Sequence, residues 1–164
     1  SLYNHPDFKK KYGGMMVFCT EPHKTDIMVF FRKDSKKIGI RRYGDTLFIP
    51  GYLIGNNPEK TISMLDNQGN LACLVNKENP AYLYNLPVEA GRWQLEVLTD
   101  NPSVFVAVRD GETEIGRGNA SIIFNYYDGI GMNFGIWGTG KEPEMIRGVR
   151  MIKQNHYRKS IFLF

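Results

Sequence analysis

The amino-acid sequence predicts an all-β domain, an antiparallel two-sheet β-sandwich with jelly-roll-like or Greek-key connections. Three observations carry that expectation. Apolar and polar residues alternate along several short segments, turn-forming residues recur about every 8 to 12 positions, and helical periodicity is scarce.

With 164 residues, the chain can bury roughly two thirds of the surface that it exposes when unfolded. It therefore needs neither a disulfide nor a structural metal to fold, and one domain over residues 1–164 is expected. The first residue is Ser1 rather than Met, which reads as processing or as excision from a longer protein. The longest apolar runs, Ile27 to Phe31 and Ser103 to Val108, fall far short of the roughly 20 residues of a membrane-spanning helix. At 42% hydrophobic and 13% aromatic residues, the composition also excludes a disordered segment.

The clearest strand is Arg92 to Leu98, in which Trp93, Leu95 and Val97 point one way and Arg92, Gln94 and Glu96 the other. The turn formers Thr99-Asp100-Asn101-Pro102 follow, and then Val104 to Val108, apolar on both faces. The two segments read as a hairpin. The same grammar pairs Ile27–Arg32 with Ile38–Arg42, and Thr61–Leu65 with Leu71–Val75. Further strands are expected at Tyr82–Leu86, at 112–116 and 120–126 around Arg117-Gly118-Asn119, and at Ile161–Phe164. Residues 143–153 fit a short helix as well as a strand. Met145, Ile146, Val149 and Ile152 would line one side of a helix with Pro143 near its start, whereas Gly148 weakens a helix interior.

The net charge of +4 conceals a segregation. Residues 1–50 carry ten basic and five acidic side chains, residues 51–140 five and ten, and residues 141–164 six and two. If the termini meet, Lys36, Lys37, Arg41, Arg42, Arg158 and Lys159 form a basic face that attracts an anionic partner; otherwise they keep strand edges soluble. The charge is too small to point to nucleic acid. Cys19 and Cys73 each lie in apolar stretches, as buried free thiols do, although their pairing stays open.

The most distinctive segment is Phe124 to Lys141, with five glycines and five aromatics in eighteen residues. Glycines let a backbone approach a ligand, and aromatic faces stack on sugars or bases. The competing reading is a tight turn at Asp128-Gly129 and a glycine-kinked strand with Phe134 and Trp137 in the core. Within it, Gly135 to Lys141 follows the phosphate-binding pattern G-x-x-x-x-G-K. Glu142 then replaces the hydroxyl residue that would hold Mg²⁺, and no strand–helix alternation surrounds it. Asp66 to Asn70 and Asp110 to Glu114 offer clustered oxygens, but without the ligand order of a calcium loop they read as turns. His5, His23 and His156 complete neither a zinc set nor a nucleophilic motif with Cys19 or Cys73.

These features point to a non-catalytic binding domain. Its Gly- and Tyr-rich loops, with Tyr126, Tyr127, Asp128, Trp137 and Lys141, would engage a protein or carbohydrate partner. The alternative is a small glycan-directed hydrolase with Asp or Glu residues in a cleft. No cofactor or metal is expected, and the residues indicate no compartment.

Overall fold

The computed structural model describes residues 12–19, 26–32, 38–56, 64–127 and 129–154. The described regular structure is nearly all strand, paired antiparallel throughout. Strands β1 (Tyr12–Cys19) and β2 (Asp26–Arg32) pair only with each other among the described residues. Strands β3 (Arg41–Tyr43), β4 (Thr46–Pro50), β9 (Gly91–Thr99), β12 (Ser121–Tyr126) and β14 (Glu144–Lys153) form one large sheet in the order β12-β9-β14-β4-β3. The short β6 (Met64–Leu65) and β7 (Leu71–Val75) extend it, β7 pairing with the first part of β14. The opposing sheet runs β11-β10-β13-β8-β5. Its strands are β5 (Gly55–Asn56), β8 (Ala81–Leu86), β10 (Phe105–Asp110), β11 (Thr113–Asn119) and β13 (Met132–Trp137).

The two inner faces close over one core. Trp93, Leu95 and Val97 alternate inward from β9 as their spacing predicts, and meet Val106 and Val108 of β10 and Phe134 and Ile136 of β13. Each fully buried aliphatic or Phe side chain contributes roughly 1.5–3 kcal/mol relative to exposure. Cys73 is a free thiol in this core, and burial pushes its pKa up to about 12.

From β7 to β14 every connection except β10–β11 carries the chain from one sheet to the other. Two hairpin expectations, for β9 with β10 and for β2 with β3, are corrected. Strands β9 and β10 lie in opposite sheets, because residues 100–104 form an arch rather than a tight turn: Asn101 Oδ1 accepts the Ser103 N–H at 3.0 Å. Strands β11 and β12 also part company, at Ala120, whose φ of 57° swings the chain across. Its N–H donates to Val104 O at 2.8 Å, and its carbonyl accepts the Val97 N–H from the other sheet at 2.7 Å. Strand β3 pairs with β4 across Gly44-Asp45, whereas β2 pairs with β1. The hairpin of β6 with β7 forms as expected, closed by Asp66 Oδ1, which accepts the N–H groups of Gln68 and Asn70 at 2.9 Å each. The Asp110–Thr113 pair closes the other expected turn. Ile161–Phe164 and Thr61–Ser63 lie outside the described residues.

The segment that fits both helix and strand is the strand β14. Its register against β9 slips between Ile146 and Gly148, so Arg147 is an extra residue, a β-bulge. Inward-facing Ile146, Val149 and Met151 are thus spaced by three and then two, which imitates a helical period. Gly148 is there for close approach. A Cβ on it would lie 2.5 Å from Ile49 O and 2.9 Å from the Phe48 ring. Gly148→Ala should therefore destabilise the domain by about 1–3 kcal/mol in chemical denaturation. A helix would instead gain up to about 1 kcal/mol from the same substitution.

Candidate functional site

The outer face of the five-stranded sheet carries a trough of about 300 Å³, its open mouth included. Cross-strand register builds it row by row. In the middle row, Ala107, Gly135 and Tyr82 lie side by side on β10, β13 and β8, with Arg117 of β11 next to Ala107 outside the lining. Ala107 and Gly135 are the smallest residues available there, and they leave a low floor between taller walls. One flanking row holds Phe105 beside Trp137, and the other Arg109 beside Asn133, with Tyr84 two residues along β8 from Tyr82.

The walls are aromatic. Tyr82 meets the Trp137 ring edge-on at 5.6 Å and 88°, Trp137 meets Phe105 at 5.8 Å, and Tyr82 stacks with Tyr84 at 6.0 Å and 24°. Gly135 makes this packing possible, because a Cβ there would stand 2.7 Å from the Trp137 ring and 2.9 Å from Tyr82. Polar groups gather at the other end. Asn133 is braced, its Oδ1 accepting the Asn85 N–H and its Nδ2 donating to Gly111 O, each at 2.9 Å. Beside it Asn85 adopts φ 55° where β8 bulges against β13, a conformation that Asn tolerates better than most residues. Arg109 extends from β10 into the trough with its side chain exposed.

Of the residues expected to bind, the structure brings only Trp137 to this trough. It is half-buried along the wall rather than in the core with Phe134. Tyr126 requires a correction, since it is 1% exposed and faces the interior, where it can touch no partner. Burial, and then the charge of Asp110, hold its phenol above the usual range. Tyr127 is 76% exposed on the β12–β13 connection but is not among the lining residues, and Asp128 lies outside the described residues. That connection is no hairpin, because it joins the two sheets; it is tied down by the Gly111 N–H donating to Gly131 O at 2.8 Å and by the Ile130 N–H donating to Asp110 Oδ1 at 3.2 Å.

The phosphate-loop pattern has a structural use. Gly138 packs on Asn76, where a Cβ would lie 2.6 Å from Cα, and its N–H donates to Asn76 O at 3.1 Å. Lys77 N–H donates to Gly140 O, and the Asn76 amide donates to Lys141 O. A strand follows, so no helix N-terminus faces an anion. Asn101 and Thr139 donate to Glu144 Oε1 and fix the same loop. Among the described residues, no three His, Cys, Asp or Glu side chains gather as a metal site. Nor is any described helix long and apolar enough to cross a membrane.

The expected basic face is described only at Arg41 and Arg42, because Lys36, Lys37, Arg158 and Lys159 lie outside the described residues. Arg42 is already engaged. Its guanidinium donates twice to Glu89, at 2.9 Å each, and its Cζ sits 5.7 Å from the centre of the Trp93 ring.

No protein-family model matches this chain, and no curated protein matches it. Several solved structures are similar, two of them as follows. The C-terminal CBM6 of LamC, a marine laminarinase from Zobellia galactanivorans, is 17% identical with a TM-score of 0.49; the match covers 66% of this chain and 99% of that one. The CBM36-1 domain of a multidomain xylanase from the hindgut metagenome of Trinervitermes trinervoides is 13% identical with a TM-score of 0.43, over 67% of this chain and 98% of that one. Likeness at this level says nothing about a ligand.

The Arg42–Glu89 pair leads to a pH dependence. The hydrogen bonds from Arg42 hold the Glu89 carboxyl below the usual carboxylate range. The pair therefore stabilises the fold above the unfolded carboxyl pKa of about 4.3, and that contribution is lost as pH falls through the lower folded value. Glu89→Gln should be less stable than the parent at pH 7, with the gap closing in denaturation curves taken below about pH 4.

Proposed function

We propose that this domain is a non-catalytic saccharide-binding module that holds a sugar chain in the trough of the five-stranded sheet. The single observation that carries this reading is the aromatic run from Phe105 through Trp137 and Tyr82 to Tyr84, beside the low floor of Ala107 and Gly135. A pyranose has an apolar face of C–H groups and a polar rim of hydroxyls. Aromatic rings accept the first, and neighbouring polar side chains such as Asn133 accept the second. An open trough suits the face of a sugar in a chain better than a compact metabolite, which a pocket would enclose.

The lining residues also favour holding over cleaving. Glycoside hydrolysis uses two carboxyl groups flanking the scissile bond, whereas the trough is lined by Tyr, Trp, Phe, Ala, Gly, Asn and Arg. What supports the proposal is this chemistry rather than the likeness to CBM6 and CBM36 domains.

Calorimetry against a panel of soluble neutral and acidic polysaccharides tests it. Tyr84 is 39% exposed, and Tyr84→Ala, with its melting temperature checked against the parent, should weaken binding about tenfold, some 1.4 kcal/mol. Unchanged affinity in Tyr84→Ala for every glycan that the parent binds would place the sugar elsewhere.

A further inference from the structure

Resting on that reading, we infer that the trough selects an acidic saccharide, a uronate-bearing chain whose carboxylate is taken by Arg109. The argument starts from a register slip. Strand β11 carries an extra residue opposite the Val108–Arg109 step of β10, so that Val108 pairs with Gly116 and Arg109 with Glu114. Residues three apart in a regular strand face opposite ways. The bulge at Ile115 instead lets Glu114 and Arg117 lie on one face, where the Arg117 Nε stands 3.3 Å from Glu114 Oε1. Arg117 also lies over the Phe105 ring, at 5.3 Å from its centre.

Glu114 lies opposite Arg109 in the register, but the ion pair that it makes is with Arg117. Among the described residues Arg109 makes no ion pair, although it is the one cationic side chain lining the trough. It stands across Asn133 from the Tyr84 strand, two inter-strand spacings or about 10 Å away between backbones. A sugar ring laid over Asn133 against Tyr84 would thus turn one edge toward the guanidinium. Arginine's planar fork matches a carboxylate with two parallel hydrogen bonds, and an open, partly apolar site screens that pair less than bulk water does. The sugar's C5 carboxylate is a group of that shape on the ring's rim.

The test compares two forms of one polymer, de-esterified and fully methyl-esterified homogalacturonan, which share a backbone and differ in the charge at C6. By calorimetry at low salt, the domain should bind the free-acid chain at least tenfold more tightly than the ester, and added NaCl should shrink the difference. Arg109→Gln, with its melting temperature checked against the parent, should bind the two forms equally. Equal affinity of the parent for both forms overturns the inference, as does an Arg109→Gln variant that keeps the preference. Binding of sulfated glycans without uronates overturns the carboxylate assignment. If no polysaccharide binds the parent, neutral or acidic, the saccharide-binding reading itself falls.

Discussion

Strand β13 must satisfy two surfaces at once, and the rest of the structure is arranged around that requirement. Its side chains alternate strictly. Met132, Phe134 and Ile136 are at most 2% exposed and fill the gap between the sheets, while Asn133, Gly135 and Trp137 face outward as the bed and wall of the trough. A residue cannot be moved from one set to the other without turning the whole strand over. The core therefore sets the trough's register: with Phe134 and Ile136 locked inside, Gly135 has to lie between Ala107 and Tyr82.

Rigidity follows from the same arrangement. The trough is formed by paired strands rather than by loops, and its rings hold one another in place through edge and stacking contacts. Asn133 is fixed by two hydrogen bonds to backbone on neighbouring segments. A ligand meeting such a surface has little side-chain ordering left to cause, which is how a shallow site retains useful affinity.

Three interruptions of the ladders re-aim polar groups, two of them at the site. The bulge in β8 at Tyr84 and Asn85 points the Asn85 N–H at Asn133. The bulge in β11 puts Glu114 on the face of Arg117, with which it pairs. The bulge in β14 frees Arg147 to reach Asp100, with Nη1 2.8 Å from Oδ1. In each case one extra residue re-aims a polar group that perfect alternation would have sent elsewhere.

The sequence by itself determined the class of the fold and the inward residues of its best-patterned strands. Trp93, Leu95 and Val97 are buried as their spacing requires, because period-2 alternation is a local property of a half-buried strand. Strand partners were beyond it: turn residues look alike whether they close a hairpin or arch between sheets, so β9 and β10 could be recognised as strands but not assigned to opposite sheets. At the site, Trp137 was legible as a lone aromatic among glycines, whereas Tyr126 was misread as a contact because alternation across a segment broken by Asp128 and Gly129 does not tell inside from outside. The Tyr82-x-Tyr84 spacing, which would put two rings on one face, and Arg109 after an apolar strand were signals that went unread. Their meeting with Asn133 was decided only by tertiary pairing, which brings together residues as far as 51 positions apart in the chain, as Tyr82 and Asn133 are.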